Sequence, residues 1–438
     1  MTGANVEGVS TSMNSLEYRT FHAGRDGDAP DAPTAGWLEA DFLGFHGRKP
    51  TPAHAAAVAG YLVADAQELT GVYDNASPKH SLHPDIPVAT FASFEKPLTV
   101  SPGVQIPAHL ISSVTVRATH RRRGILRRMM TDDLGRAAAS GFAVAALTAS
   151  EASIYRRFGF GAATWVHDLT VDTDARFALT KTPAGYCSVV DPGDIPAIAP
   201  DVFDAFHEAQ PGSIARHTAY QDRISGRLTD EGEEDRARRA AVHYGESGEV
   251  DGYVTYRFSG WESKPHAIEV TDLVAASADA YLALWQYLAS IDLTTRVTFS
   301  SGAPDDALRW ALVDPRVVTV TNVEDRIWLR ILDPIAAFTA RNYAQDGTIS
   351  FRVTDPLGFA DGSFRLSAEE GAGRLERLGS APVDIEMDAW VLGALYLGGA
   401  DARVAAAGGA LREITPGAAA TLQRLLTPAV PVYSNTAF

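Results

Sequence analysis

The chain has a single cysteine, Cys187, in 438 residues. This excludes an internal disulfide and a cysteine-based zinc cluster, and it fits a reducing cytoplasm. Long apolar runs are also missing, because polar residues interrupt every hydrophobic stretch, so no transmembrane helix is expected. The first residues lack a basic segment followed by an apolar one, so residues 1–15 read as a disordered tail and not as a signal peptide. Among the twelve histidines there is no HExxH, so no metal is expected, and isolated ones such as His120 and His167 read as structural. Basic residues are outnumbered, with 38 Lys and Arg against 54 Asp and Glu, for a formal net charge of −16. A chain this acidic argues against general nucleic-acid binding, which needs a basic face. An acidic cleft would favour the approach of a cationic substrate.

What remains is an ordinary globular composition, 46% hydrophobic and 21% charged, long enough for two to four domains. Residues 16–21 alternate as a strand, and Trp37, Leu38, Phe42 and Phe45 form a helical stripe. A second helix is expected over 53–69, a strand over 86–94, a hairpin connection over 97–103 and a strand over 110–116. Residues 142–149 read as a buried strand, and 150–160 as a short helix entering a Gly159/Gly161 turn. Beyond about residue 175 the strand–helix–strand order restarts. A loop is expected over 192–200, helices over 203–209, 218–228 and 278–290, and strands over 252–258, 267–274 and 296–301. A charged, exposed connection is expected over 231–239. A third region begins near 325, with helices over 333–343, 388–397 and 416–426 and strands over 347–354 and 362–368.

Against the acidic background, six arginines fall within residues 117–128: Arg117, Arg121, Arg122, Arg123, Arg127 and Arg128. They surround Gly124, between a strand-like and a helix-like run. A strand, a tight turn and a helix N-terminus together expose backbone N–H groups to an anion, and arginines add charge-assisted contacts. A pyrophosphate is the expected guest.

Residues 121–126 match most of the Q/R-x-x-G-x-G/A pattern of Gcn5-related N-acetyltransferases, with Leu126 where Gly or Ala is usual. The stretches SVTV (113–116), THRRRGILR (119–127), AALTASE (145–151) and IYRRFGFG (154–161) resemble the enhanced-intracellular-survival family, which acetylates aminoglycosides. RIWLRI (326–331), Glu386–Asp388 and LGALYLG (392–398) extend the likeness into the third region. The resemblance implies an α/β chain of two acetyltransferase-like domains, the first active and the second degenerate, each a mixed sheet with flanking helices. A C-terminal α+β domain like sterol carrier proteins follows. On this layout the domains cover 16–175, 176–324 and 325–438. It further implies acetyl-CoA as cosubstrate, a cationic amine as acceptor, a homohexamer, and neither nucleic-acid nor membrane partners.

Carried over residue by residue, the resemblance places Val114 and Val116 along the pantetheine arm. Arg121, Arg122, Gly124 and Ile125 would hold the pyrophosphate, and Ser150 would lie near the acetyl end. Tyr155 would be the general acid, and the terminal carboxylate of Phe438 the base or proton relay. A phenol of pKa ~10 can donate to a thiolate whose conjugate acid lies near ~8.5. A carboxylate of pKa ~3.5 cannot readily deprotonate an ammonium of ~10.4, a deficit of roughly 9 kcal/mol, so an anchor and relay suits it better. Asp41, Glu151 and Asp388 are the acids expected to line the substrate cleft. Around residues 42–45 the sequence is FLGF, with glycine where a carboxylate would be expected, and Trp37 precedes the family's tryptophan position. Two other readings stand beside this one. The first is a protein lysine acetyltransferase. The second is a lipid carrier, in which residues 392–397 line a lipid pocket instead of packing a core.

Overall fold

The computed structural model describes residues 16–76 and 78–438; the tail expected over 1–15 lies outside them. The fold divides into two units, one running to Phe94 and including Ile111–Asp133, the other made of Glu95–Leu110 and Leu134–Phe438. The strands Ala89–Ser101 and Val104–Val116 and the helix Ile125–Ala139 run through the division.

In the first unit, Leu16–His22 pairs antiparallel with Glu68–Asp74, which pairs in turn with Ala89–Ser101. Two helices connect the first pair. Ala32–Gly44 starts where the Asp31 side chain accepts the Thr34 N–H, and Pro52–Ala64 starts where Thr51 accepts that of His54. Each begins with a proline in its first turn, where no N–H is needed. Their apolar stripes close on Leu69 and Ala92 through Trp37, Leu38, Ala59 and Leu62. Trp37 is core, with its indole N–H donated to the Thr70 carbonyl at 3.0 Å. The helix expected over 53–69 ends at Ala64 because Ala66 turns left-handed, at φ 49°, and the chain re-enters as the strand Glu68–Asp74. The connection expected over 97–103 is likewise strand almost to its end. Pro97 lies within Ala89–Ser101, and the turn is Pro102–Gly103.

The second unit holds a seven-stranded sheet ordered Tyr186–Val190, Arg239–Tyr244, Val250–Phe258, Ala267–Ala275, Arg296–Gly302, Trp165–Asp172 and Val318–Asp325. The helix Ala278–Ala289 packs Leu284, Trp285 and Leu288 onto it. A five-stranded sheet follows, built on Gly347–Thr354 paired with Gly362–Glu369 and, in parallel, Ile385–Asp388. Strands are shared across the regions expected from sequence. Trp165–Asp172 completes the second sheet by pairing with Arg296–Gly302 and Val318–Asp325. In return, Trp328–Ile331, from the far side of that sheet in sequence, pairs with Val144–Leu147 and Gly161–Ala162. Residues 192–200 are not a loop. After the turn Pro192–Asp194 the helix Ile195–Ala209 begins, with Pro196 in its first turn and Pro200 just inside. The connection expected over 231–239 ends in a buried Arg238 and the strand Arg239–Tyr244.

Candidate active site

The strand Val104–Val116 runs into the short turn Ala118–His120, the arginine segment and the helix Ile125–Ala139. Arg122 has φ 63° and Gly124 φ 77°. These two left-handed residues turn the chain tightly just ahead of the helix Ile125–Ala139, whose first N–H groups lack intrahelical acceptors. A Cβ at Gly124 would meet nothing within 4 Å, so glycine serves here for its backbone angle. The six arginines divide by task. Arg117 is half-buried and donates to the Ile86 and Pro87 carbonyls at 3.4 and 3.1 Å. Arg128 lies 4.0 Å over the Tyr18 ring and pairs with Asp132 at 3.5 Å. Arg121 and Arg122 are exposed at the turn. His120 is structural, bonded to Asp74 at 3.1 Å and Thr119 at 2.8 Å.

The strand that carries Val114 and Val116 is kinked at Ser113, whose φ is 53°. The kink turns the Ser113 carbonyl toward the Thr90 hydroxyl, which donates to it at 2.9 Å, and Thr90 and Thr115 hydroxyls bond at 2.6 Å. Asp41 reaches the same place from the helix Ala32–Gly44. Ser113 and Thr90 hydrogen-bond it, yet burial prevails and pushes its carboxyl up to about 7. Its Oδ1 is enclosed with no protein partner. Gly44 accounts for the missing carboxylate in FLGF. A Cβ there would stand 2.5 Å from Thr115, so only glycine lets the helix lie on the kinked strand.

In the second unit, Ser150 and Tyr155 follow the strand Val144–Leu147, with Tyr155 closing the helix Ala152–Tyr155. Tyr155 is buried. Desolvation raises its pKa, the Ser150 hydroxyl bonded to it opposes the rise, and the nearby Glu151 charge adds to it. The phenol therefore keeps its proton at neutral pH and can donate it. The turn behind it is locked by residues far away in sequence. Gly159, at φ 85°, leaves room for the buried Arg330 guanidinium, 2.8 Å from where a Cβ would stand. Arg330 pairs with Asp355 at 2.5 Å, and Arg156 stacks 3.4 Å over Trp390. The stripe 392–397 is core, with Leu392, Leu395, Tyr396 and Leu397 all buried.

The chain end lies on this segment. The Phe438 N–H donates to the Thr148 hydroxyl at 3.1 Å, and that hydroxyl donates to the Phe438 main-chain oxygen at 2.7 Å. Upstream, the Tyr220 phenol accepts the Ala437 N–H at 3.0 Å and donates to the Asn435 carbonyl at 3.3 Å. Ser434, Asn435 and Thr436 are buried. Thr148 and Tyr220 were not singled out from sequence. Only the polar tail ending in an aromatic signals a segment that packs. Glu151 is exposed next to Tyr155, whereas Asp388 is exposed ahead of the helix Ala389–Leu395.

Comparison with known proteins gives the class: an N-acetyltransferase with a sterol-carrier-like domain at its C-terminal end. Residues 60–163 and 212–331 each match an acetyltransferase (GNAT) domain family, and 335–434 match the sterol carrier protein domain. The chain is 37% identical over 407 residues to an uncharacterized N-acetyltransferase of Streptomyces avermitilis, covering 90% of this chain and 94% of that one. It is 36% identical over 323 residues to the N-acetyltransferase Eis of Mycobacterium tuberculosis, covering 72% and 77%. The crystal structure of Eis1 from Mycobacterium abscessus superimposes with a TM-score of 0.77 at 26% identity, covering 97% of this chain and all of that one. The chain belongs to the Eis-type N-acetyltransferases of the GNAT superfamily. The fold implies acetyl-CoA as acyl donor, and in the second acetyltransferase-like region the junction from the strand Ala267–Ala275 to the helix Ala278–Ala289 holds neither arginine nor glycine. No helix among the described residues is long and apolar enough to cross a membrane.

Proposed function

We propose that the chain transfers the acetyl group of acetyl-CoA directly to an amine of a cationic small molecule, an aminoglycoside or a close chemical relative. Arg121, Arg122, Gly124 and Ile125 hold the pyrophosphate, Val114 and Val116 line the pantetheine arm, and Ser150 lies near the acetyl group. The amine nitrogen attacks the thioester carbonyl, the C–N bond forms and the C–S bond breaks. Tyr155 gives its proton to the departing thiolate and is reprotonated from solvent. The proton lost by the amine leaves through the Phe438 carboxylate. That carboxylate is too weak a base to hold the proton, so its part is to anchor the ammonium and relay. Burial pushes the Asp41 carboxyl up to about 7, and a second ammonium of a polyamine is its natural partner. The cytoplasmic homohexamer belongs to the same reading, and sedimentation velocity tests it.

The observation that carries this reading is the double hydrogen bond between Phe438 and Thr148, two residues before Ser150. A chain end is usually frayed; this one is held on the segment that bears the acid. Release of free thiol from acetyl-CoA in the presence of kanamycin is the test. Turnover above the hydrolysis background supports the proposal, and none with any of several aminoglycosides refutes it.

A further inference from the structure

The proposed chemistry takes only Tyr220 from the second acetyltransferase-like region. That region nonetheless has a cavity of about 540 Å³, within the usual size for small-molecule sites. Its floor is one face of the seven-stranded sheet. Along the strands, Leu169, Ile268, Val270, Val297 and Phe299 pack into the core. Alternate residues face the other way, and Asp168, Thr170, Glu269, Thr271, Thr298 and Ser300 line the cavity, with Leu169, Val270 and Phe299 also bordering it. The parallel pairing of Ala267–Ala275 with Arg296–Gly302 stops at Val270↔Phe299, and residues on both sides of that point border the space.

Three arginines, Arg223, Arg238 and Arg257, complete the lining. Arg238 differs from the other two. Its side chain is 8% exposed, and only Nη2 has an acceptor, Asp235 at 3.1 Å. Nε and Nη1 are enclosed with no protein partner. Buried guanidinium donors left unpaired are costly, so a site that keeps them is built for an acceptor from outside. Arg223 and Arg257 are about half exposed and engage Asp230 at 3.7 Å and Glu269 at 2.7 Å, contacts that an incoming oxyanion can replace. Asp168 and Glu231 also line the cavity. Their charge disfavours a polyanion, and the threonine and serine hydroxyls favour a hydroxylated guest.

We propose that this cavity binds a small polar molecule carrying one oxyanion group, a phosphate or a carboxylate, together with hydroxyls. The anion sits on Arg238, flanked by Arg223 and Arg257, and the hydroxyls lie on the threonine face. The arginine–glycine run at 223–226 ends the helix Ala219–Ser225 instead of opening one, and the junction from the strand Ala267–Ala275 to the helix Ala278–Ala289 holds neither arginine nor glycine, so the cavity is not read as a second coenzyme A site.

Calorimetric titration of the full chain with inorganic phosphate, and separately with gluconate, at low ionic strength tests this. Sodium chloride at matched ionic strength is the control. The phosphate arm reports a phosphate guest and the gluconate arm a carboxylate one. Because the arginine turn can also take phosphate, both titrations are repeated on Arg121→Gln/Arg122→Gln. The proposal expects one saturable event that survives in that variant. It should weaken by roughly tenfold or more in Arg223→Gln/Arg257→Gln, through lost charge-assisted hydrogen bonds, and acetyl transfer by that variant should be unchanged. Thr298→Val should weaken gluconate more than phosphate. Failure of both probes to saturate overturns the proposal. So does binding that disappears in Arg121→Gln/Arg122→Gln, or that persists undiminished in Arg223→Gln/Arg257→Gln.

Discussion

Asp41→Asn should change how stability depends on pH. Burial pushes the native carboxyl from 3.8 up to about 7, while in the unfolded chain it titrates near its ordinary value. Below pH ~4 both states hold the proton and the residue contributes no pH dependence. Between ~4 and ~7 the unfolded chain has lost the proton that the folded chain retains, so stability falls as pH rises, by ~1.4 kcal/mol per unit. Above ~7 the penalty is constant at about 4 kcal/mol, an upper figure because a polar site relaxes around the charge. Asparagine removes this term and gives up part of the hydrogen bonding to Ser113 and Thr90. The variant should therefore be equal to or slightly less stable than the parent near pH 4, and more stable at pH 8. Scanning calorimetry of both proteins from pH 4 to 8 reads the difference. A gap of a few degrees should open in favour of the variant as pH rises. A difference that stays flat across that range would refute a buried, neutral Asp41.

Three further outcomes follow from the geometry. Tyr155→Phe should lower kcat by roughly 10²–10⁴-fold, the usual worth of a positioned general acid, with the dissociation constant of acetyl-CoA unchanged by calorimetry. Arg121→Gln/Arg122→Gln should raise the KM for acetyl-CoA by roughly tenfold or more, and steady-state assays over a range of salt should show a shallower salt dependence than the parent. Thr148→Val removes both hydrogen bonds to Phe438 and should depress kcat by about tenfold or more, with Thr148→Ser restoring it; similar rates for Val and Ser would show that the hydroxyl does not matter.

The left-handed turn between strand and helix was legible because its signals are local. One glycine at a left-handed angle, neighbouring arginines and a helix start all fall within a few residues. The split of tasks among those arginines was not, since Arg117 is committed to carbonyls 30 and 31 residues earlier in sequence. Residues 53–69 read as one helix because alanine-rich sequence continues past Ala64; the left-handed Ala66 that ends it has no glycine to mark it. Prolines at 192, 196 and 200 read as a loop, although a proline in the first turn of a helix removes no hydrogen bond. The exchange of Trp165–Asp172 and Trp328–Ile331 between sheets is a matter of pairing, which short apolar runs do not specify. Thr148 and Tyr220 carry no motif, and their part depends wholly on where the last residues of the chain settle.

Steady-state kinetics of the chain lacking Phe438, set beside Phe438→Leu, test most directly whether the terminal carboxylate serves the reaction. Removing the residue shifts the carboxylate back by one position and off Thr148, whereas leucine keeps it in place. The account predicts a kcat at least about tenfold lower for the deletion, near-parental turnover for Phe438→Leu, and acetyl-CoA binding intact in both. Parental turnover in the deletion would contradict it.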